Sequence, residues 1–89
     1  MACCERTVLA YLARWTEVAS DQYSAQAEPL QALVDERVRR LLKDPDGPSC
    51  RCDPGTDQWT ATAGDGRIVV VYVFRTAHLW LFILRLIVI

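Results

Sequence analysis

The sequence lacks an excess of charge of either sign. Ten basic residues face eleven acidic ones, for a net charge of −1 over 89 residues. That excludes a chain-wide electrostatic footprint for nucleic acid, although unevenly placed charges still allow a basic face. Histidine is scarce, with His78 the single example. There is no glycine-rich phosphate loop, no serine nucleophile elbow and no zincin pattern. Asp44, Asp46, Asp53 and Asp57 fall close together without the ligand spacing of a calcium loop, so they read as solvated carboxylates. No metal or cofactor is expected. Repeats and low-complexity tracts are missing too, and the length suits one domain. No basic stretch followed by an apolar run opens the chain, so a secretory leader is not expected and a cytoplasmic location is.

Four cysteines are present, as Cys3-Cys4 and Cys50-Arg51-Cys52. Adjacent and one-apart spacings do not match the gaps of zinc knuckles. Free thiols in a reducing compartment are the expectation, with a metal site or a disulfide as the lesser alternatives.

Hydrophobic residues make up 52% of the chain, and they concentrate in its last third. Apolar runs at 67–74 and 79–89 flank the polar break Arg75-Thr76-Ala77-His78. A β-hairpin with strands apolar on both faces follows. A chain this short has little with which to cover both faces, so a partner is expected. Residues 68–89 are long enough to span a bilayer as a helix. Arg75, His78 and Arg85 interrupt the run, and Val69-Val70-Val71 favours a strand, so a membrane anchor is the weaker reading. Beyond Asp65 the chain carries Arg67, Arg75 and Arg85 and no carboxylate.

Residues 7–15 read as a strand apolar on both faces, preceded by an extension at 1–6. Thr16 is the expected N-cap of a first helix over 17–26, with Glu17 in its first turn. A second helix starts at Pro29 and ends at Asp44-Pro45. Leu30, Leu33, Val34, Val38, Leu41 and Leu42 form its apolar stripe. Cys50-Arg51-Cys52 suggests a short edge strand, and residues 58–63 alternate as another. Gly64-Asp65-Gly66 is a tight turn that requires positive φ angles. The expected fold is therefore α+β over 7–89. Two helices pack on one face of a roughly four-stranded antiparallel sheet, in the order β-α-α-β-β-β.

Several junctions resemble the RelE/ParE toxin superfamily of type II toxin–antitoxin systems. Arg14-Trp15-Thr16-Glu17, continued to Ala19, is similar to the family's opening W-T-x-x-A. The segment from Val38 to Pro45 resembles its leucine-rich helix end closing on Asp-Pro. Gly66-Arg67-Ile68-Val69 with Val71-Tyr72 is similar to its arginine-led strand, and 79–89 to its last strand. The resemblance implies a toxin silenced by an antitoxin. In one branch such a toxin cleaves mRNA in the ribosome through the 2′-hydroxyl and without a metal; in the other it targets DNA gyrase. It implies Arg67 and Arg85 as catalytic candidates, and Arg51, Arg67 and Arg85 as target-binding ones. Alternation places Arg67 with Val69, Val71 and Val73, and Arg85 among Leu81, Ile83 and Ile87. Val69, Val71, Leu81, Ile83 and Ile87 are the expected partner-binding surface. The ending Leu86-Ile87-Val88-Ile89 departs from the His or Tyr ending of the nuclease branch. A catalytically inactive toxin-fold protein, as a homodimer or partner-bound, is the alternative. His78 reads as a solvated turn residue. Trp15, Trp59 and Trp80 read as core or partner-facing residues before a base-stacking platform.

Overall fold

In the computed structural model, which describes residues 11–47 and 50–89, the elements follow the expected order. They are β1 (Leu12–Trp15), α1 (Glu17–Ser24), α2 (Glu28–Lys43), β2 (Cys50–Asp53), β3 (Gln58–Ala63), β4 (Ile68–Arg75) and β5 (Trp80–Val88). One five-stranded sheet runs in the order β1-β5-β4-β3-β2. Strands β2 to β5 are an antiparallel meander, and β1 lies parallel to β5. The fold class is the expected α+β, with two differences. The short edge strand expected at Cys50 joins the sheet and brings its strand count to five, and the sheet is mixed. The two-helix connection brings β2 into the sheet antiparallel to β1, and the three antiparallel turns of the meander then leave β5 parallel to β1. The N-terminal strand expected over 7–15 is described from Leu12; its earlier part, the extension at 1–6, Cys3 and Cys4 lie outside the described residues.

Local chemistry accounts for the element ends. The Thr16 hydroxyl caps α1 by accepting from the Ala19 N–H at 3.1 Å. Pro29 occupies the first turn of α2, and Arg40 and Lys43 fill its last turn, where cations favour the exposed carbonyls. The β3–β4 turn has Asp65 and Gly66 at φ 59° and 91°, closed by the Arg67 N–H donating to the Gly64 carbonyl at 3.2 Å. Two successive positive φ angles match the twist of a hairpin. Gly64 is itself at φ 60°, and a Cβ there would stand 2.8 Å from Leu33 Cδ1. Helix α2 thus presses directly on the turn, and glycine is the residue that permits it.

Both helices pack on one face. Val34, Val38 and Leu41 of α2 and Ala19 of α1 are buried against Ala61, Ile68, Val70, Tyr72, Leu81, Ile83 and Leu86. Phe74 gathers Tyr11, Trp59 and Tyr72 at ring distances of 5.8, 5.4 and 6.4 Å, closing one end of this core. The pairing of β4 and β5 contains a β-bulge. Val71 pairs with Arg85 and Tyr72 with Ile83, leaving Leu84 as the extra residue. The side-chain alternation of β5 changes phase there. Leu81 and Ile83 point to the helices before the bulge, and Leu86 does so after it. The Leu84 carbonyl accepts from the Thr16 hydroxyl at 2.7 Å, and the Leu86 N–H donates to Gln22 Oε1 at 2.7 Å. Helix α1 thereby takes over as the edge partner of β5 where β1 ends.

Tyr72 is fully buried and donates its phenol to the Pro45 carbonyl. Burial pushes its pKa far above the usual tyrosine range, with the neighbouring Cys50 adding to the rise. The folded state therefore holds this proton more tightly than the unfolded chain. The associated stability is complete below about pH 10 and drains away as pH rises beyond it. Tyr72→Phe should flatten that alkaline loss, measured as denaturation midpoints between neutral and strongly alkaline pH. Thr16→Val removes both the cap and the bond to Leu84. It should cost about 1–2 kcal/mol in urea unfolding, with Thr16→Ser recovering most of it.

Candidate functional site

Two helices cannot cover both faces of a five-stranded sheet, and the opposite face is open. The strand register lays its side chains out in rows. One row runs Arg51, Thr60, Val71, Arg85 across β2, β3, β4 and β5. Next to it runs Thr62, Val69, Ile87, and beyond that lies Arg67, whose carbonyl accepts from the Ile89 N–H at 2.8 Å. On the other side of the arginine row stand Val73, Phe82 and Arg14, then Arg75, Trp80 and Leu12.

The three target-binding candidates thus share one surface. Arg51 and Arg85 sit in the same row, three strand spacings or roughly 14 Å apart at the backbone. Arg67 is exposed just before β4, on the side expected from alternation with Val69 and Val71. Among the described residues no carboxylate lies within ion-pair distance of Arg51, Arg67 or Arg85. A chain of net charge −1 therefore carries a locally cationic face. The guanidinium groups can bind phosphate oxygens and stabilise negative charge.

The expected partner surface divides in two. Val69 and Ile87 are on the open face, Ile87 being 41% exposed, and Val71 is there but crowded to 3% exposure. Leu81 and Ile83 are not on it. Both are at 0% exposure beneath the helices, because the bulge at Leu84 separates them from Arg85 and Ile87. Neither can meet a partner in the folded chain. Alternation along β5 had placed all four on one face, and no feature of the β5 sequence announces the extra residue. The register adds Thr60 and Thr62, small polar residues between the arginines, and Arg14 with Trp80 and Phe82 at the β1 end. His78 lies in the β4–β5 turn with its ring 6.2 Å from Trp80, away from the arginine row. Among the described residues no cluster of three or more His, Cys, Asp or Glu could hold a metal ion, and no helix is long and apolar enough to cross a membrane.

No family model matches the sequence, and no curated protein does. A solved structure does match. It is the toxin chain in the crystal structure of the toxin–antitoxin complex RelBE2 from Mycobacterium tuberculosis, with a TM-score of 0.76 and 18% identity over 90% of this chain and 99% of that one. The two chains share their architecture nearly end to end, and this protein has the fold of a RelE toxin.

Proposed function

We propose that this chain is the toxin of a type II toxin–antitoxin pair and that its open sheet face engages RNA. The observation that carries the reading is the arginine surface. Arg51, Arg67 and Arg85 converge on one face of a nearly neutral chain, without carboxylate partners among the described residues. Such a face suits the phosphates of a single RNA strand better than an acidic metal-dependent centre would. The fold shared with a toxin that is held in a toxin–antitoxin complex supports the toxin role and an antitoxin partner.

The arginines define what this face contributes to cleavage. The 2′-oxygen attacks the adjacent phosphorus, the P–O5′ bond breaks, and a 2′,3′-cyclic phosphate and a 5′-hydroxyl result. Arg85 binds the non-bridging oxygens as charge builds on them, and Arg51 and Arg67 hold neighbouring phosphates. Protons leave the 2′-hydroxyl and reach the 5′-oxygen through water or through the ribosome that presents the message. No described His or carboxylate stands in the arginine row to carry them. The same gap favours the second reading, a toxin fold that binds its partner or a second copy without cleaving. A gyrase-directed toxin would also need no acid or base.

An antitoxin has a surface to cover as well. Val69 and Ile87 beside the arginines suit an amphipathic segment whose carboxylates pair with Arg51, Arg67 and Arg85. Binding there would silence the chain by occupying the target surface.

Controlled expression of the chain alone in a bacterial host, with growth and macromolecular synthesis followed, tests the proposal. Arrest with translation falling before DNA synthesis is expected. Arg85→Ala and Arg51→Ala should each relieve the arrest, with folded protein still accumulating. DNA synthesis failing first would point to gyrase, and unimpaired growth with folded protein present would leave the non-cleaving reading.

A further inference from the structure

The RNA reading leaves one part of the open face without a role. Of the three tryptophans, Trp15 packs at a tilt against Tyr23 at 5.3 Å and Trp59 against Phe74 at 5.4 Å, both against the helix-side core. Trp80 is different. It stands on the open face and keeps 36% of its surface exposed. Its indole is also held in place. The Arg14 guanidinium carbon lies 4.5 Å from the ring centroid, the Phe82 ring packs at 5.7 Å with an interplanar angle of 66°, and His78 approaches at 6.2 Å.

We propose that Trp80 and the Arg14 stacked on it form a nucleobase platform for a single RNA strand lying along the open face, an inference that rests on the RNA reading above. A guanidinium plane over an indole presents a second flat surface, and bases stack on both aromatic rings and guanidinium planes. Arg14 is exposed, so its outer side is accessible. Arg75 stands opposite Trp80 in the strand register, its guanidinium donating to the Phe74 carbonyl at 3.1 Å, which supplies a second cationic residue at this end of the face for the phosphate of the stacked nucleotide. The arginine row lies four residue pairs along the β4–β5 ladder, roughly 13 Å away. The platform therefore receives a neighbour of the nucleotide whose phosphate sits at Arg85, and fixes the strand in register without touching the scissile bond. Charge complementarity selects the occupant. An exposed indole flanked by Arg14 and Arg75, with no ion-paired carboxylate among the described residues, matches a strand of bases and phosphates better than an apolar peptide.

The test is equilibrium binding, by fluorescence anisotropy, of a labelled single-stranded oligoribonucleotide with a 2′-O-methyl group at every position, which blocks cleavage. Versions with one abasic position moved along the strand report which base is held. Trp80→Ala should weaken binding by about tenfold, Trp80→Phe by much less, and Arg14→Ala by an intermediate factor. One abasic position should bring the wild type down to the Trp80→Ala level and have no further effect in that variant. Circular dichroism and thermal melting should stay close to wild type, because Trp80 is outside the core. Equal binding by wild type and Trp80→Ala, with affinity lost in Arg85→Ala, would overturn the platform and leave the RNA reading standing. A tenfold loss that no abasic position reproduces would mark Trp80 as a structural residue and overturn the platform as well. A wild-type chain that binds no RNA would overturn both, and loss of a protein partner instead of RNA in Trp80→Ala would assign the patch to protein docking.

Discussion

The extra residue Leu84 in β5 decides which side chains the open face carries. Two residues oppose one at this bulge, so the strand's alternation changes phase in mid-course. Without it, Arg85 would point with Leu81 and Ile83 into the helix-side core, where an unpaired guanidinium would cost several kcal/mol. With it, the core regains Leu86, and Arg85 joins Arg51 in one row. A bulge strands backbone groups, and here helix α1 satisfies them. The Thr16 hydroxyl binds the Leu84 carbonyl while also capping α1, and Gln22 receives the Leu86 N–H. A single threonine thus ties the start of the first helix to the strand that carries Arg85.

The second constraint is coverage. Two helices bury one face of the sheet and leave the other to solvent. That face mixes valine and isoleucine with arginines that have no ion-paired carboxylate among the described residues, a combination costly to keep exposed unless something binds it. An antitoxin and an RNA strand would use different parts of the same chemistry. The apolar residues Val69 and Ile87 suit a protein segment, whereas Trp80, Arg14 and the arginine row suit bases and phosphates. In the proposed function, overlap at Arg85 would make the two occupants mutually exclusive, and inhibition would require no conformational switch.

Much of the architecture is written in local pattern. The Val38–Leu42 stripe, the Thr16 cap, the Gly64-Asp65-Gly66 turn and the two-sided apolar hairpin all appear in the structure where period and turn chemistry place them. Elements whose identity depends on distant contacts are harder to read. The parallel pairing of β1 with β5 follows from the helical crossover rather than from residues in β1. Cys50–Asp53 becomes a full strand because β3 offers it an edge. Of the site, Arg67 follows from alternation, whereas Arg51 reaches the surface through the pairing of β2 with β3. Arg85 reaches the same surface through a bulge that alternation does not encode, and the same bulge withdraws Leu81 and Ile83. The open-face position of Trp80 depends on strand register, which no residue near it reveals.

The most direct test of the account is a nuclear magnetic resonance titration of the isotope-labelled chain with a non-cleavable single-stranded RNA. Amide and side-chain shifts should concentrate at Arg51, Thr60, Val71, Arg85 and Trp80, with the exposed surface of α2 unmoved. Shifts on α2, or none at concentrations that saturate comparable single-strand binders, would contradict the assignment of the open face as the working surface.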